Sequence, residues 1–261
     1  MNIFHKVLEQ NHSRRDENMQ RNKPLTAKNV ALIICFTALY TVFCFIPAFP
    51  IVGLPAYSIT LAAITAPIIG LILGPYLGAA STILGGIIGF FSGIFFLPSF
   101  AAGVATAFFA GMLSLNKRSL CIFTYFSLLF FFGFYPFVGP VWLYPPFMWF
   151  QTLGLLLLAS PLQSKALKTI QPHFNKDSSR LIFSFFIFSL TSTLAGQIAG
   201  SLTFEFISWP VFMADVNAWA VAWQVLTWIY PVERTLIALG ATFIGVPLYK
   251  VLTSANLMPS H

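Results

Sequence analysis

The chain has 261 residues, of which 57% are hydrophobic and only 8% are charged. Soluble domains carry about 25% charged residues, so this composition excludes a water-exposed globule. The net charge of +7 does not indicate nucleic-acid binding, because the basic residues fall in short clusters between apolar stretches, as they do in membrane proteins. The sequence predicts an all-α integral membrane protein in a lipid bilayer.

Long uncharged stretches predict about eight helical spans, at roughly 20 apolar residues for each span. No Asp, Glu, Lys or Arg occurs between Lys28 and Lys117. Stretches such as Leu181–Leu194 are apolar on every face, which favours helices over the alternating strands of a barrel. The predicted spans are 30–47, 58–74, 76–93, 99–115, 119–138, 141–162, 181–203 and 232–252.

The basic clusters all agree with one orientation, in which both termini are cytoplasmic. The opposite face receives Glu205, Asp215 and a single basic residue, Arg234. We expect Glu205 and Asp215 to be solvated loop charges. The predicted divisions are a polar cytoplasmic tail at 1–28, a transmembrane bundle at 29–252 and a cytoplasmic C-terminal end at 253–261.

Two connections on the outer face are notable, Pro47–Ser58 and the unusually long Phe204–Pro231. The six tryptophans all fall at or near this face. They form either an aromatic belt at the membrane interface or the walls of a pocket that stacks a flat ligand. In the second interpretation the candidate substrate-binding residues are Trp142, Gln151, Asn217, Trp219, Trp223, Gln224, Glu233 and Arg234.

Two details of these candidates matter for the structure. Trp219, Trp223, Gln224 and Trp228 are predicted to share one helical face. Glu233 and Arg234 form a charged pair at the outer end of a span. Such a pair marks a functional or ion-paired site if it is buried, and it snorkels to water if it lies at the edge; both interpretations are open.

Small residues recur at every fourth position in several segments, including Ala62–Gly78, Gly85–Gly93 and Gly196–Gly200. On a helix this spacing gives a face that lets neighbouring backbones approach closely. A further ladder, Ala27, Ala31 and Cys35, lies at the start of the first predicted span. These ladders predict tight helix packing.

Several of these segments carry a family resemblance. They resemble the substrate-binding S component of an energy-coupling factor (ECF) transporter. The segments that carry this resemblance are Ala31–Phe49, Ile59–Ala63, Gly70–Ala80, Gly85–Gly89, Glu233–Gly240 and Pro247–Lys250. The resemblance implies a prokaryotic plasma-membrane protein that captures a vitamin-like small molecule on the outer side. It also implies partnership with a transmembrane T component and two ABC-type ATPases.

The resemblance implies a docking role for one helix face, but this chain has more predicted spans than an S component. A small-residue face on the first helix contacts the T component in this family, and here it corresponds to Ala27, Ala31 and Cys35. S components have six spans, so residues 99–162 would add a hairpin to a six-helix core.

No catalytic or metal-binding motif occurs in the sequence. There is no Gly-x-x-x-x-Gly-Lys-Ser/Thr nucleotide loop and no His-Glu-x-x-His, and the three cysteines have no metal-ligand spacing. We therefore expect no enzyme activity, no metal and no cofactor. A stand-alone secondary transporter, an intramembrane enzyme and a structural membrane protein remain as alternatives.

Overall fold

The computed structural model describes residues 27–51, 54–91, 93, 95–170, 178–255 and 257–258. Contacts within the chain separate residues 1–32 from residues 33–261, and the packing described below is that of the second unit. The predicted tail at 1–28 therefore lies almost wholly outside the described residues, and the predicted C-terminal end lies partly outside them.

The regular secondary structure of the described residues is helical apart from one two-stranded antiparallel hairpin. The helices are α1 (Ala27–Cys44), α2 (Ala62–Phe91), α3 (Leu97–Ser114), α4 (Arg118–Gly133), α5 (Pro140–Leu143), α6 (Trp149–Ala159), α7 (Pro161–Ile170), α8 (Ser178–Ser208) and α9 (Val216–Ser254). The hairpin pairs β1 (Pro47–Ile51) with β2 (Leu54–Thr60), and a short 3-10 helix covers Pro145–Met148.

Among the described residues, five helices are long and apolar enough to cross a membrane: α1, α2, α3, α8 and α9. The chain is therefore a multi-pass helical membrane protein, as its composition predicts. At 39 residues, α9 is about 58 Å long, nearly twice the roughly 30 Å of a hydrocarbon core. The count of eight spans and the cytoplasmic location of the termini stay predictions.

The continuity of α2 is broken at Gly74, whose φ of 78° lies in the left-handed region that favours glycine. A Cβ placed on Gly78 would lie only 3.1 Å from the Gly70 Cα. In an unbroken helix these positions would be about 12 Å apart. The chain therefore reverses direction at Gly74, which coincides with the predicted boundary between the second and third spans.

Glycines bring α3 into backbone contact with both α2 and α8. A Cβ on Gly70 would overlap the Ala107 carbonyl, and one on Gly196 would overlap the Thr106 hydroxyl. A Cβ on Gly200 would lie 2.9 Å from the Ala102 Cβ. The prediction that these small-residue faces allow close packing is confirmed.

The predicted long connection Phe204–Pro231 is wrong. Helix α8 continues to Ser208 and α9 begins at Val216, with Asp215 as its N-cap accepting a hydrogen bond from the Asn217 N–H at 2.9 Å. Pro231 does not end the helix. It cannot donate to the Thr227 carbonyl, and the Trp149 indole N–H donates to that oxygen instead, at 3.3 Å.

Candidate ligand-binding site

A cavity of about 90 Å³ lies where the hairpin meets the helix bundle. Its wall combines Ile59 and Thr60 of β2, the Phe95–Phe96 segment before α3, and the adjoining faces of α3, α8 and α9. Tyr40 of α1 also contributes to the wall. Segments from across the sequence therefore converge on one enclosed space.

Three residues of this wall carry buried polar atoms that have no hydrogen-bond partner in the described part of the chain. They are the Thr60 hydroxyl, both amide atoms of Gln197 and the Arg234 Nε. Leaving such a group buried and unpaired costs about 1–3 kcal/mol. Buried polar groups are normally paired, so the concentration of unpaired polar atoms around one cavity makes it the candidate ligand-binding site.

Six aromatic residues contribute to the remaining wall, beside aliphatic and small polar ones. The lining rings are Tyr40, Phe95, Phe96, Phe204, Trp223 and Tyr230. The Trp223 indole N–H donates to the Val138 carbonyl at 2.8 Å, which fixes the orientation of its ring. The hydrogen-bonding capacity of that indole is therefore used outside the cavity, and its contribution to a ligand is apolar contact.

The β-hairpin covers one side of the cavity. On β2, Tyr57 stacks on Phe96 with ring centroids 4.6 Å apart, and Phe96 itself lines the cavity. The enclosed volume of about 90 Å³ is well below the roughly 300–1,000 Å³ of common ligand pockets. With the hairpin in this position, the cavity accommodates only a compact molecule.

The charge of Arg234 is balanced by its neighbour. Arg234 Nη2 donates to Glu233 Oε1, and both residues are buried. The guanidinium also lies 5.8 Å from the centre of the Tyr230 ring, a cation–π distance. Of the two interpretations of this pair, the buried, ion-paired one is therefore confirmed. The pair compensates the charge of Arg234 and leaves its Nε without a hydrogen-bond partner in the described part of the chain.

The structure brings half of the predicted substrate-binding residues to this region. Trp223 and Arg234 line the cavity, and Trp219 and Glu233 pack directly against them. Gln151 is buried elsewhere, where its main-chain carbonyl accepts a hydrogen bond from the Tyr125 hydroxyl at 2.9 Å. The other three are exposed and lie outside the cavity lining: Trp142, Asn217 and Gln224.

The tryptophans divide into buried and exposed residues. Trp219 and Trp223 are 0% and 1% exposed, whereas Trp142 and Trp228 are 59% and 73% exposed. The buried pair belongs to the aromatic core beside the cavity. The exposed pair is accessible from outside the bundle, and the interfacial belt stays a prediction. The predicted single face of Trp219, Trp223, Gln224 and Trp228 is wrong, because Gln224 and Trp228 lie on the exposed side of α9.

Glu205 departs most strongly from its prediction as a solvated loop charge. It is 0% exposed within α8, and neither carboxylate oxygen has a partner in the described part of the chain. Asp215, by contrast, is exposed as predicted.

Sequence reasoning missed Thr60 and Gln197. A threonine at the end of an apolar strand gives no distinctive signal. Gln197, however, is the only Gln, Asn or charged residue in the predicted span 181–203, and an isolated strongly polar side chain in a span is a signal of function. The predicted docking residues Ala27, Ala31 and Cys35 are each exposed.

No protein-family model, curated protein or solved structure matches this chain. Within the described residues, no group of three or more His, Cys, Asp or Glu side chains is placed to hold a metal ion. The functional argument therefore depends on the cavity and on the chemistry of its wall.

Proposed function

We propose that this protein is a membrane-embedded substrate-binding subunit of the ECF type, which captures a compact vitamin-like molecule in the cavity beneath the β-hairpin. The observation that carries the proposal is the convergence of Thr60, Gln197 and Arg234 on one aromatic-walled space. A binding subunit needs such a site and needs no catalytic group.

The wall chemistry limits the class of ligand. Gln197 offers both a donor and an acceptor, Arg234 Nε–H is a donor, and the Thr60 hydroxyl is either. A flat or ring-shaped body would contact the aromatic walls, and an amide-like edge would satisfy Gln197. Because Glu233 balances the Arg234 charge, we expect an uncharged ligand, or one whose charge lies outside the cavity.

The energy source in this proposal is external. The sequence has no nucleotide-binding loop, and the resemblance to S components supplies the expected partners, a T component and two ABC-type ATPases. Exposure of Ala27, Ala31 and Cys35 leaves their side chains accessible to a partner helix. Bulky residues at Ala27 and Ala31 are expected to abolish co-purification with a T component.

Mass spectrometry of small molecules released from gently purified protein tests the binding role. The wild-type chain is expected to release one compact ring compound at a near-stoichiometric level. A protein that repeatedly releases no small molecule, and is not stabilised by any member of a vitamin and precursor panel, would contradict the proposal.

Gln197 and Gln151 form a matched pair for this experiment. Both are buried amides with no side-chain partner in the described residues, but only Gln197 lines the cavity. Gln197→Leu is expected to lose the ligand, and Gln151→Leu is expected to retain it. Equal retention by both variants would place the binding site elsewhere.

A stand-alone secondary transporter is the second candidate, and Glu205 is the observation that favours it. A buried carboxylate without a partner is a common feature of proton- and cation-coupled transport. Uptake by proteoliposomes that contain only this chain, driven by an ion gradient and abolished in Glu205→Gln, would support this candidate over the ECF-type subunit. Uptake that requires added ATPases would exclude it.

A further inference from the structure

A groove lies between α7 and the first turns of α8, at the end of the bundle opposite the ligand cavity. Its volume is about 560 Å³. One wall comes from α7 at the spacing of a single helical face, through Leu162, Lys165, Ala166 and Thr169. The other wall comes from Ser179, Arg180, Phe183 and Ser184 of α8.

The groove is basic at one end and apolar along its side. Lys165 and Lys168 are exposed, and neither ammonium has a carboxylate partner among the residues that the structure describes. No Asp or Glu occurs among its described lining residues. Leu162 and Phe183, which are 45% and 55% exposed, provide open apolar surface beside these charges.

The geometry points to a binding site for one anionic phospholipid, with its phosphate between Lys165 and Lys168 and an acyl chain along Leu162 and Phe183. Basic pockets between helices at the membrane surface bind anionic lipid headgroups. Charge complementarity selects the phosphate, and the adjoining apolar wall selects a lipid over a free anion. This site is separate from the ligand cavity and does not depend on the proposed transport function.

Helix α7 is suited to this role by its position on the bundle. Its apolar residues Ala166, Leu167 and Ile170 are buried, and its packing is mainly against α8. This packing holds Lys165 and Lys168 beside α8, at the groove that both helices line. A lipid held between the two helices would join a short surface helix to a membrane-spanning one.

Native mass spectrometry of the full chain in an uncharged detergent tests the inference, with phosphatidylglycerol as the probe and phosphatidylcholine as its neutral comparison. One phosphatidylglycerol is expected to bind preferentially and to raise the melting temperature. The K165Q/K168Q double variant is expected to lose about 30-fold in affinity for phosphatidylglycerol. That loss corresponds to about 2 kcal/mol at about 1 kcal/mol for each basic residue.

Lys117→Gln is the matched control, because Lys117 is an exposed lysine outside the groove; it should leave binding unchanged. Because the changed lysines are exposed, the double variant is expected to keep the wild-type helical circular dichroism. In the wild type, raising salt from 50 to 500 mM should weaken phosphatidylglycerol binding and leave phosphatidylcholine binding unaffected. This salt comparison tests the site without any substitution.

Three results would overturn the inference. The first is equal binding of the two lipids, and the second is equal phosphatidylglycerol binding by the wild type and the double variant. The third is displacement of phosphatidylglycerol by millimolar inorganic phosphate, which would identify a site for a soluble anion in place of a lipid.

Discussion

Buried polar side chains without a partner occur both in the wall of the cavity and elsewhere in the bundle. Thr60, Gln197 and Arg234 leave polar atoms unpaired around one enclosed space. Gln151 and Glu205 also leave polar atoms unpaired, but they lie apart from the cavity lining. Burial without a partner is therefore not in itself a sign of a binding site. The distinguishing feature is the convergence of several such groups on a space that a ligand can fill.

The largest effect is expected at the ion pair beside the cavity. Glu233→Ala would leave the Arg234 guanidinium buried without a carboxylate, which typically costs about 3–5 kcal/mol of stability. Unfolding in a mild detergent measures this change. The double variant Glu233→Leu with Arg234→Leu should be less destabilised, because no buried charge remains, and it should not bind ligand. A fully stable Glu233→Ala variant would contradict the buried pair.

A smaller effect is expected when the two glutamines are compared without ligand. Gln151→Leu and Gln197→Leu each remove two unpaired polar atoms, so each variant should gain up to about 1–3 kcal/mol in ligand-free protein. Saturation with ligand at about 100 times its Kd should add about 2.7 kcal/mol to wild type and to Gln151→Leu. Measuring the free energy of unfolding with and without ligand checks both the gain in ligand-free stability and the stabilisation by ligand. If ligand stabilised Gln197→Leu as much as wild type, the distinction between the two regions would be lost.

The smallest effect is expected at Thr60. Thr60→Val keeps the side-chain shape and removes one unpaired hydroxyl, so the ligand-free protein should gain less stability than the glutamine variants, which each remove two unpaired atoms. Loss of one neutral hydrogen bond is worth about 0.5–1.5 kcal/mol, which predicts an affinity lower by roughly 2- to 13-fold. Isothermal titration in detergent measures the change. Thr227→Val is a suitable control, since Thr227 is a buried threonine that does not line the cavity.

Much of the fold could be predicted from the sequence, because membrane spans depend on apolar composition over long stretches. The break at Gly74 was also readable, since Gly74 is followed by Pro75 within a small-residue ladder. The start of α9 could not be predicted from the sequence. Asp215 and Pro231 each suggest a loop, but Asp215 caps the helix and Trp149 supplies the hydrogen bond that Pro231 cannot make.

The cavity was only partly predictable for a related reason. Tryptophans and charged residues are conspicuous in an apolar sequence, so the sequence predicts Trp223 and Arg234 as candidate site residues. Whether a given polar group faces a partner, water or an empty space depends on three-dimensional packing. Glu205 illustrates the limit: it lies three residues before the end of α8, where sequence alone does not separate a buried carboxylate from a solvated one.

The glycine contacts between α3 and α8 have a consequence for how such a site could change over time. Gly103 and Gly200 both line the cavity, and a Cβ on Gly103 would overlap the Tyr40 hydroxyl. A methyl group added at either glycine would therefore displace a neighbouring group. Substitutions at the hairpin residues of the wall, such as Ile59, would alter the cavity without disturbing these two glycine contacts.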